Sequence, residues 1–390
     1  MKKALIAAAV AGAFAAPSAM AAELSTNIYW STAIGVGETT TTAAGVDATA
    51  NNDQILDGGG NRLMFTWTDT LDNGIGVSAY LSFGNLDTAN AGGVSSRNSN
   101  IGFSGDFGTV QIGANEHFTE TDLIFDPSYG DFGMGDALSH ITVGQTGFNF
   151  TRRDGESIWW TSNNMNGFQA RAVYIMGPQA LSTAAVDPSG TQMGITYSAG
   201  PMMIGLSQAA YEDYAASGSQ TATTGVVGAT NGDTVAAPGV AGSETKMTTI
   251  RGSYDMGMAT IKVARWTIEQ SGFATIGATA DASGIEVEGS SIYVGMPVGG
   301  GLLWAQSSSL GDQDSTVAGV TSAIDQSGKS SYDVGFHMPM NANVTMFVRY
   351  GESETDLNFD GTAGSTEQEL LMFGRSEERR VGKECRSRWS

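Results

Sequence analysis

The chain has few cysteines, few prolines and few charged residues, and each shortage excludes a class of protein. Among 390 residues there is one cysteine, Cys385, which excludes a disulfide framework and a thiolate zinc cluster. Charged residues make up 15% of the chain, and 8 prolines stand against 53 glycines. This composition excludes a coiled coil, a collagen and a charged disordered chain.

Basic residues are also scarce: 19 lysines and arginines face 40 acidic residues, for a net charge of −21. Binding to nucleic-acid phosphates requires a basic surface, so we expect no nucleic-acid partner. Beyond the N-terminal region, no stretch reaches the roughly 18 apolar residues that a spanning helix needs.

The N-terminal residues 1–21 have the pattern of a secretory signal peptide. Lys2 and Lys3 precede an alanine-rich apolar run, and Ala19 and Ala21 form a small-residue cleavage site. A membrane anchor is the alternative, but the run is short and ends at that cleavage site. We therefore expect an exported protein.

The C-terminal residues 375–390 differ abruptly in composition from the chain before Gly374. They contain six of the 19 basic residues and the one cysteine. We interpret this segment as the translated read-through of a sequencing adapter, with a natural basic tail as the alternative. The body is then residues 22–374, with a truncated last strand.

The body alternates apolar and polar residues with period two and shows no sustained helical period. In residues 61–70, Leu63, Phe65 and Trp67 share one face, and residues 332–338 and 344–350 repeat the pattern. Seven short turns alternate with eight long connections, among them residues 37–60, 218–245 and 311–328. This rhythm predicts about sixteen antiparallel strands in an all-β transmembrane barrel, with short periplasmic turns and long extracellular loops.

A closed barrel also satisfies the backbone in lipid, where every polar group must be paired. Tyrosines and tryptophans near predicted strand ends would form the aromatic girdles of such a barrel: Trp67, Tyr80, Tyr174, Tyr197, Trp266, Trp304 and Tyr350. A soluble β-sandwich or β-solenoid is the alternative, since both also alternate.

Three segments resemble the general diffusion porins of Gram-negative bacteria. They are residues 62–74, residues 101–113 (IGFSGDFGTVQIG) and the strand over residues 157–176. The resemblance implies a trimer of sixteen-stranded barrels in the outer membrane, surrounded by lipid and lipopolysaccharide. It also implies passive diffusion of small polar solutes, and a third outside loop that folds into the lumen to form the constriction.

The counterpart of that loop is residues 115–153, a length typical of functional loops. Its apolar residues would pack against the barrel wall: Phe118, Phe125, Pro127, Tyr129 and Phe132. Its acids would face the pore: Glu116, Glu120, Asp122, Asp126, Asp131 and Asp136. A solvated surface loop is the alternative interpretation.

In the family these acids face a ladder of wall arginines, and Arg62 matches one of them. The chain departs from the family at Ala114 and Asn115, and again at residues 159–162, where some members carry an arginine. Strand alternation directs Arg171, Arg251 and Arg349 inward, and Arg152 and Arg153 end the loop. We therefore predict a transverse field at the constriction.

An enzyme is not expected. The histidines are His117, His140 and His337, and no G-x-S-x-G elbow is present. No cofactor is required for passive diffusion.

One motif suggests a bound Ca²⁺. Asp356, Asn358, Asp360 and Glu367 fit the D-x-[DN]-x-[DN]-G-x₅-E pattern in what would be the last outside loop. Alternate acidic positions around a glycine turn supply the oxygen ligands that calcium prefers. Tight loops select the same residues, so a chance match is the alternative.

The sequence thus predicts a porin with a weak preference for cations. A substrate-selective porin for sugars or anions, and a structural or adhesive barrel with a plugged lumen, are the alternatives.

Overall fold

Segments with period-two alternation pair edge to edge around a closed ring. The computed structural model describes residues 23–43, 45–57, 61–84, 94–123, 125, 142–143, 148–149, 153–176, 188–213, 243–271, 282–311, 314–317, 320–323, 328–359 and 362–381. The sixteen barrel strands are β1 (Glu23–Ala43), β2 (Arg62–Thr70), β3 (Gly76–Gly84), β4 (Ser95–Gly105), β5 (Gly108–Glu116), β6 (Ser157–Thr161), β7 (Phe168–Met176), β8 (Ser189–Ala199), β9 (Met202–Glu212), β10 (Glu244–Asp255), β11 (Thr260–Ser271), β12 (Ala282–Val298), β13 (Gly301–Leu310), β14 (Lys329–Pro339), β15 (Val344–Phe359) and β16 (Thr362–Val381).

Every barrel strand runs antiparallel to the next one in the chain, and β1 closes the ring. β1 pairs with β2 on one side, Leu24 opposite Trp67, and with β16 on the other, Ile34 opposite Phe373. A closed ring leaves no open sheet edge, as a barrel that spans lipid requires. The prediction of an all-β antiparallel barrel of about sixteen strands is confirmed.

Short additional strands lie in the connections between barrel strands. A short helix, α1 (Phe118–Leu123), follows β5. The additional strands are Val46–Asn51, Gln54–Asp57, Thr142–Val143, Phe148–Asn149, Arg153–Asp154, Asp314–Val317 and Val320–Ala323. Within the described part of the chain, no helix has the length and apolar character needed to cross a bilayer.

The predicted short turns lie where the sequence places them. In the turn after β2, the Gly74 N–H donates to the Leu71 carbonyl at 2.8 Å, and Gly74 has φ 81°. In the turn after β6, Asn164 Oδ1 accepts from the Gly167 N–H at 2.8 Å. Glycine tolerates positive φ without steric cost, so both glycines suit these turns.

Two predicted long loops contain more strand than expected. β1 continues to Ala43 and pairs with Val46–Asn51, so residues 37–60 are not one irregular loop. This stretch is rich in threonine, a β-branched residue that favours strands. β15 and β16 stay paired up to Phe359 and Thr362, so the expected long eighth loop is replaced by an extended hairpin.

The outward face carries the exposed apolar side chains, whereas Arg171, Arg251 and Arg349 face inward. Ile250 and Tyr254 are about half exposed, whereas Arg251 between them is largely covered. The girdle prediction was wrong for Trp266 and Trp304, which are each 1% exposed within the inner hydrophobic cluster. On β11, Trp266 shares the inner face with Ala264 and Ile268, and all three are buried, so alternation alone did not fix the direction of this face.

The last strand extends beyond the predicted truncation point. β16 pairs with β1 as far as Val381 opposite Thr26. Arg375 is exposed on the same outward face as Leu371 and Phe373. The adapter interpretation of residues 375–390 stays a prediction.

A chain in which residues 375–390 are replaced by a short alternating end with a terminal aromatic residue is expected to insert better than the chain as written. A charge on the lipid face costs roughly 2–4 kcal/mol at the midplane and about 0–1 kcal/mol near the interfaces. The amount of heat-modifiable barrel in isolated outer membranes measures insertion. Equal insertion of both chains would contradict the adapter interpretation.

Candidate functional site: the inner wall around the third loop

Helix α1 brings the root of the third loop against the inner wall of the barrel. Phe118, Leu123 and Phe125 are buried in one cluster with wall residues, and the Phe118 ring meets Trp159 edge to face at 6.2 Å. Apolar burial of this kind stabilises the docked loop. The wall-packing role predicted for Phe118 and Phe125 therefore agrees with the geometry, whereas Pro127, Tyr129 and Phe132 lie outside the described residues.

His117 links β5 to α1 and is fully buried. Its Nδ1 lies 2.6 Å from the Tyr211 hydroxyl, and the two rings stack with centroids 5.7 Å apart. Gln192 Nε2 donates to the same hydroxyl at 3.1 Å. The sequence offered no catalytic partner for this histidine, and in the structure it helps to fix the start of the loop on β8 and β9.

Asp122 is the charged anchor of α1. Arg171 Nη2 donates to both of its carboxylate oxygens, at 2.9 and 2.7 Å, and Arg251 Nη2 lies 2.8 Å from Oδ1. Asp122 is 3% exposed. The Arg171 guanidinium also lies over the Phe118 ring, 4.4 Å from its centroid. Charge-assisted hydrogen bonds of this kind are among the stronger ones, so α1 is held to β7 and β10.

Glu116, at the end of β5, forms a second shared ion pair. Arg62 Nη1 lies 3.4 Å and Arg97 Nη2 3.5 Å from its Oε1. The Arg62 guanidinium is 5.5 Å from the centroid of the Tyr29 ring. The predicted wall arginine therefore contacts a predicted loop acid.

Each of these two acids is shared between two arginines. Around Asp122 the described side chains therefore carry one more positive than negative charge. The acids also touch the wall directly, whereas the predicted transverse field places loop acids across the open pore from the arginines. The contacts show an anchored loop root with a basic surplus.

Lys262 on β11 adds a further cation beside the loop. Its Nζ donates to the Phe125 carbonyl at 3.1 Å and lies 4.8 Å from the centroid of the Tyr293 ring. The backbone of the loop is thus bound to the wall after α1 as well as before it.

Arg349 is placed differently from the other predicted arginines. Its Nη2 lies 2.7 Å from Asp333 Oδ2, and neither side chain has any exposed fraction. Gln306 Nε2 donates to the same oxygen at 3.2 Å, and the Arg349 guanidinium lies 4.9 Å from the Trp304 ring centroid. The pair belongs to the wall of β13–β15, and the contacts described for it do not include a loop acid.

The remaining predicted constriction residues are described in part or not at all. Glu120 lies in α1 and Arg153 pairs through its backbone with Glu116, but their side chains are outside the described set. Asp126, Asp131, Asp136 and Arg152 lie wholly outside the described residues. Their roles in the constriction stay predictions.

Sequence reasoning missed Arg97, Lys262 and Asp333 as members of these clusters. Alternation puts Lys262 on the same face as Trp266, which was read as outward. Arg97 lies close to a register shift between β3 and β4, where alternation is interrupted. Asp333 lies in the alternating segment 332–338, but its partner depends on the register between β14 and β15.

The predicted calcium ligands lie along a hairpin. Asp356 and Asn358 belong to β15, where Asp356 pairs with Ser365, and Glu367 on β16 pairs with Glu354. Asp360 is outside the described residues. Among the residues that are described, no group of three or more His, Cys, Asp or Glu side chains is close enough to hold a metal ion. The calcium site stays a prediction.

A closed ring of sixteen antiparallel strands, with one connection docked against its inner wall and charged side chains facing inward, defines a transmembrane β-barrel channel. The family model of the Gram-negative porins matches residues 7–368, and the chain belongs to that family.

Solved structures agree with this fold. An anion-selective porin from Comamonas acidovorans is 19% identical with a TM-score of 0.66, over 92% of this chain and 100% of that chain. In-vitro folded OmpT, an outer membrane protein of Vibrio cholerae, is 14% identical with a TM-score of 0.61, over 92% and 99%. The outer membrane channel DcaP of Acinetobacter baumannii is 9% identical with a TM-score of 0.56, over 93% and 100%. A comparison with curated proteins finds none that matches the chain.

Proposed function

We propose that the protein forms a water-filled pore in the outer membrane through which small hydrophilic solutes and ions diffuse passively. The observation that carries this proposal is a closed sixteen-stranded ring whose inward face holds ion-paired arginines and acids. Barrels of 16 to 18 strands leave an aqueous channel, and charged side chains are tolerated where they face water. Planar-bilayer recordings of refolded protein test it, since a pore gives stepwise ohmic conductance.

A weak preference for cations is the proposed selectivity. The net charge of −21 and the loop acids Asp126, Asp131 and Asp136 support it. At physiological salt the screening length is about 8 Å, so these charges act only near the mouth and the constriction. We expect a cation-preferring reversal potential across a KCl gradient at low salt. A reversal potential of the opposite sign would contradict this selectivity.

An anion-selective pore is the second candidate, because two arginines share each described acid at the loop root. The porin from Comamonas acidovorans is described as anion-selective, which supports the same alternative. The reversal potential separates the two candidates. Liposome swelling with neutral sugars identifies a sugar-selective pore, and absence of any conductance would favour a structural or adhesive barrel.

A homotrimer embedded in outer-membrane lipid and lipopolysaccharide is the proposed assembly. A trimer form of OmpT from Vibrio cholerae is among the similar structures, 14% identical with a TM-score of 0.60 over 90% of this chain and 100% of that one. Chemical cross-linking of the protein in native membranes should give a ladder that ends at three subunits.

Calcium binding at the tip of the β15–β16 hairpin is a separate proposal, in which Ca²⁺ is not required for transport. Sites of this extracellular kind bind with dissociation constants of about 10⁻⁴–10⁻³ M. Millimolar Ca²⁺ should therefore raise the melting temperature relative to EDTA, through binding to the folded state alone. The substitution Asp360→Ala should abolish the gain, and an unchanged wild-type melting temperature would contradict the site.

A further inference from the structure

Three methionines lie together on the outward face of the β14–β15 hairpin, close to its turn. Met338 on β14 is directly opposite Met346 on β15. The Met340 N–H donates to the Val344 carbonyl at 2.8 Å, so the same register continues to the end of the hairpin. Because side chains alternate between the two faces of a strand, Met338, Met340 and Met346 share one face.

The register brings the three thioether groups within reach of one point. Residues directly opposite each other on antiparallel strands have Cβ atoms about 4.5–5.5 Å apart, which applies to Met338 and Met346. Met340 is two residues further along the same strand than Met338, which is roughly 7 Å. Each side chain is unbranched and has three rotatable bonds, so the three sulfurs can meet around a single ion.

The turn that carries Met340 is held by a side chain. Asn341 Oδ1 accepts from the Asn343 N–H at 2.8 Å and from the Val344 N–H at 3.0 Å. An asparagine that bonds to the backbone in this way stabilises a tight turn. The backbone of Met340 is therefore fixed relative to that of Met346 before any ligand arrives, and such preorganisation lowers the entropic cost of binding.

Packing within the protein does not account for these methionines. Met338 is 43% and Met340 58% exposed, so neither side chain buries most of its apolar surface. On β16, the exposed Arg375 is opposite Met346, whereas Phe373, two residues earlier on the same face, belongs to the apolar band. The cluster therefore lies at the border of the apolar band, on the side of the short turns.

The chemistry of the cluster selects a soft cation. A thioether sulfur is polarizable and uncharged, and it binds soft ions such as Cu(I), whereas hard ions such as Mg²⁺ prefer oxygen ligands. Arg375 beside Met346 is positively charged, so charge does not draw cations to the cluster. A hard cation would thus gain nothing at this place, whereas Cu(I) would gain three sulfur ligands.

We propose that Met338, Met340 and Met346 form a binding site for a soft monovalent cation, Cu(I), on the outer rim of the barrel at its short-turn end. The site lies on the outward face and not in the lumen. The proposal therefore goes beyond the proposed function and does not depend on it, since a barrel without conductance would bind the ion equally well.

Titration with Ag(I) tests the site, because Ag(I) is soft and monovalent like Cu(I) and stays monovalent in air. The refolded full-length protein, labelled with ¹³C at the methionine methyl groups, is titrated with silver nitrate in detergent and chloride-free buffer. The methyl signals of the three methionines, assigned from the variants below, should shift together with one dissociation constant. Excess Mg²⁺ should leave these shifts unchanged, which separates sulfur coordination from attraction to an acidic chain.

Met338→Leu, Met340→Leu and Met346→Leu each remove one sulfur and nearly keep the volume and apolar character of the side chain. Each should weaken Ag(I) binding roughly tenfold or more, because even groups that only support a metal ligand are worth about 10–100-fold in affinity. The urea unfolding midpoint without silver should stay as in the wild type, which separates a lost ligand from a damaged fold.

Met193→Leu is the matched control. Met193 is 65% exposed on the outward face of β8, and the residues opposite it are Ala172 and Gln208. This variant should bind Ag(I) as the wild type does. The proposal is overturned if Ag(I) moves none of the three methyl signals or only that of Met340, or if the three leucine variants of the cluster bind Ag(I) as tightly as Met193→Leu does.

Discussion

Replacing Arg349 with methionine is expected to destabilise the barrel by about 3–5 kcal/mol, because it removes the guanidinium that pairs with the buried carboxylate of Asp333. Both side chains have no exposed fraction, and their closest atoms are 2.7 Å apart. Gln306 Nε2 would still donate to Asp333, but a neutral amide does not balance a buried carboxylate. Equilibrium unfolding in urea, followed by tryptophan fluorescence in detergent, measures the loss.

The double variant makes this prediction specific. Asp333→Asn alone should also be costly, since it removes the carboxylate charge that faces the buried Arg349 guanidinium. Arg349→Met combined with Asp333→Asn removes both charges, and it should cost clearly less than the sum of the single losses. If the double variant loses less stability than the two single variants together, the lost stability comes from the interaction between the two charges and not from side-chain packing.

Arg265→Met provides the control for the same substitution. Arg265 forms an ion pair with Glu288 on the outward face, and the two side chains are 63% and 54% exposed. Exposed pairs are worth less than about 1 kcal/mol. If Arg349→Met costs no more than Arg265→Met, the buried pair does not stabilise the wall.

The strand pattern could be predicted from the sequence because lipid imposes a period of two on the outward face. Alternation correctly directed Arg171, Arg251 and Arg349 inward, since their neighbours Tyr174 and Ile250 are exposed on the opposite face. The short turns were found because glycine and asparagine mark them. The number of strands followed from these two signals.

The contacts within the site could not be predicted, because they depend on register and on the docked loop. Asp333 and Arg349 lie on adjacent strands, and only the pairing of Gly335 with Arg349 brings Asp333 within reach. On β11, Trp266 and Ile268 on the inner face belong to the buried cluster that contains Phe118 and Leu123 of α1. From the sequence alone, Trp266 was assigned to the aromatic girdle. Lys262, which lies on the same face of β11, was not recognised as a pore-facing residue.

Asp122→Asn is expected to loosen the third loop and to shift the pore toward anions. The amide keeps the shape of the carboxylate but removes its charge, so Arg171 and Arg251 each lose a charged partner. Since both arginines keep some contact with lumen water, we expect a loss of about 3 kcal/mol, at the lower end for a broken buried pair. The urea midpoint and the open-channel noise should both report the weaker anchor.

The shift in selectivity has a separate cause and a separate measurement. The interaction energy between one unit charge and an ion that passes about 5 Å away in water is about 0.8 kcal/mol. This energy changes the concentration of that ion at the constriction, relative to bulk solution, about fourfold. The reversal potential at low salt should therefore move toward anions in Asp122→Asn, and should move less at high salt, where screening is stronger.

Two further variants separate charge from anchoring. Asp122→Glu keeps the charge but lengthens the side chain, so it should disturb the anchor and the open-channel noise while the reversal potential changes little. Asp106→Asn makes the same chemical change in an exposed turn after β4 and should alter neither stability nor noise. If Asp122→Asn left the reversal potential and the noise as in the wild type, Asp122 would be neither the anchor of the loop nor a source of field in the pore. The constriction would then have to be attributed to the acids beyond Phe125.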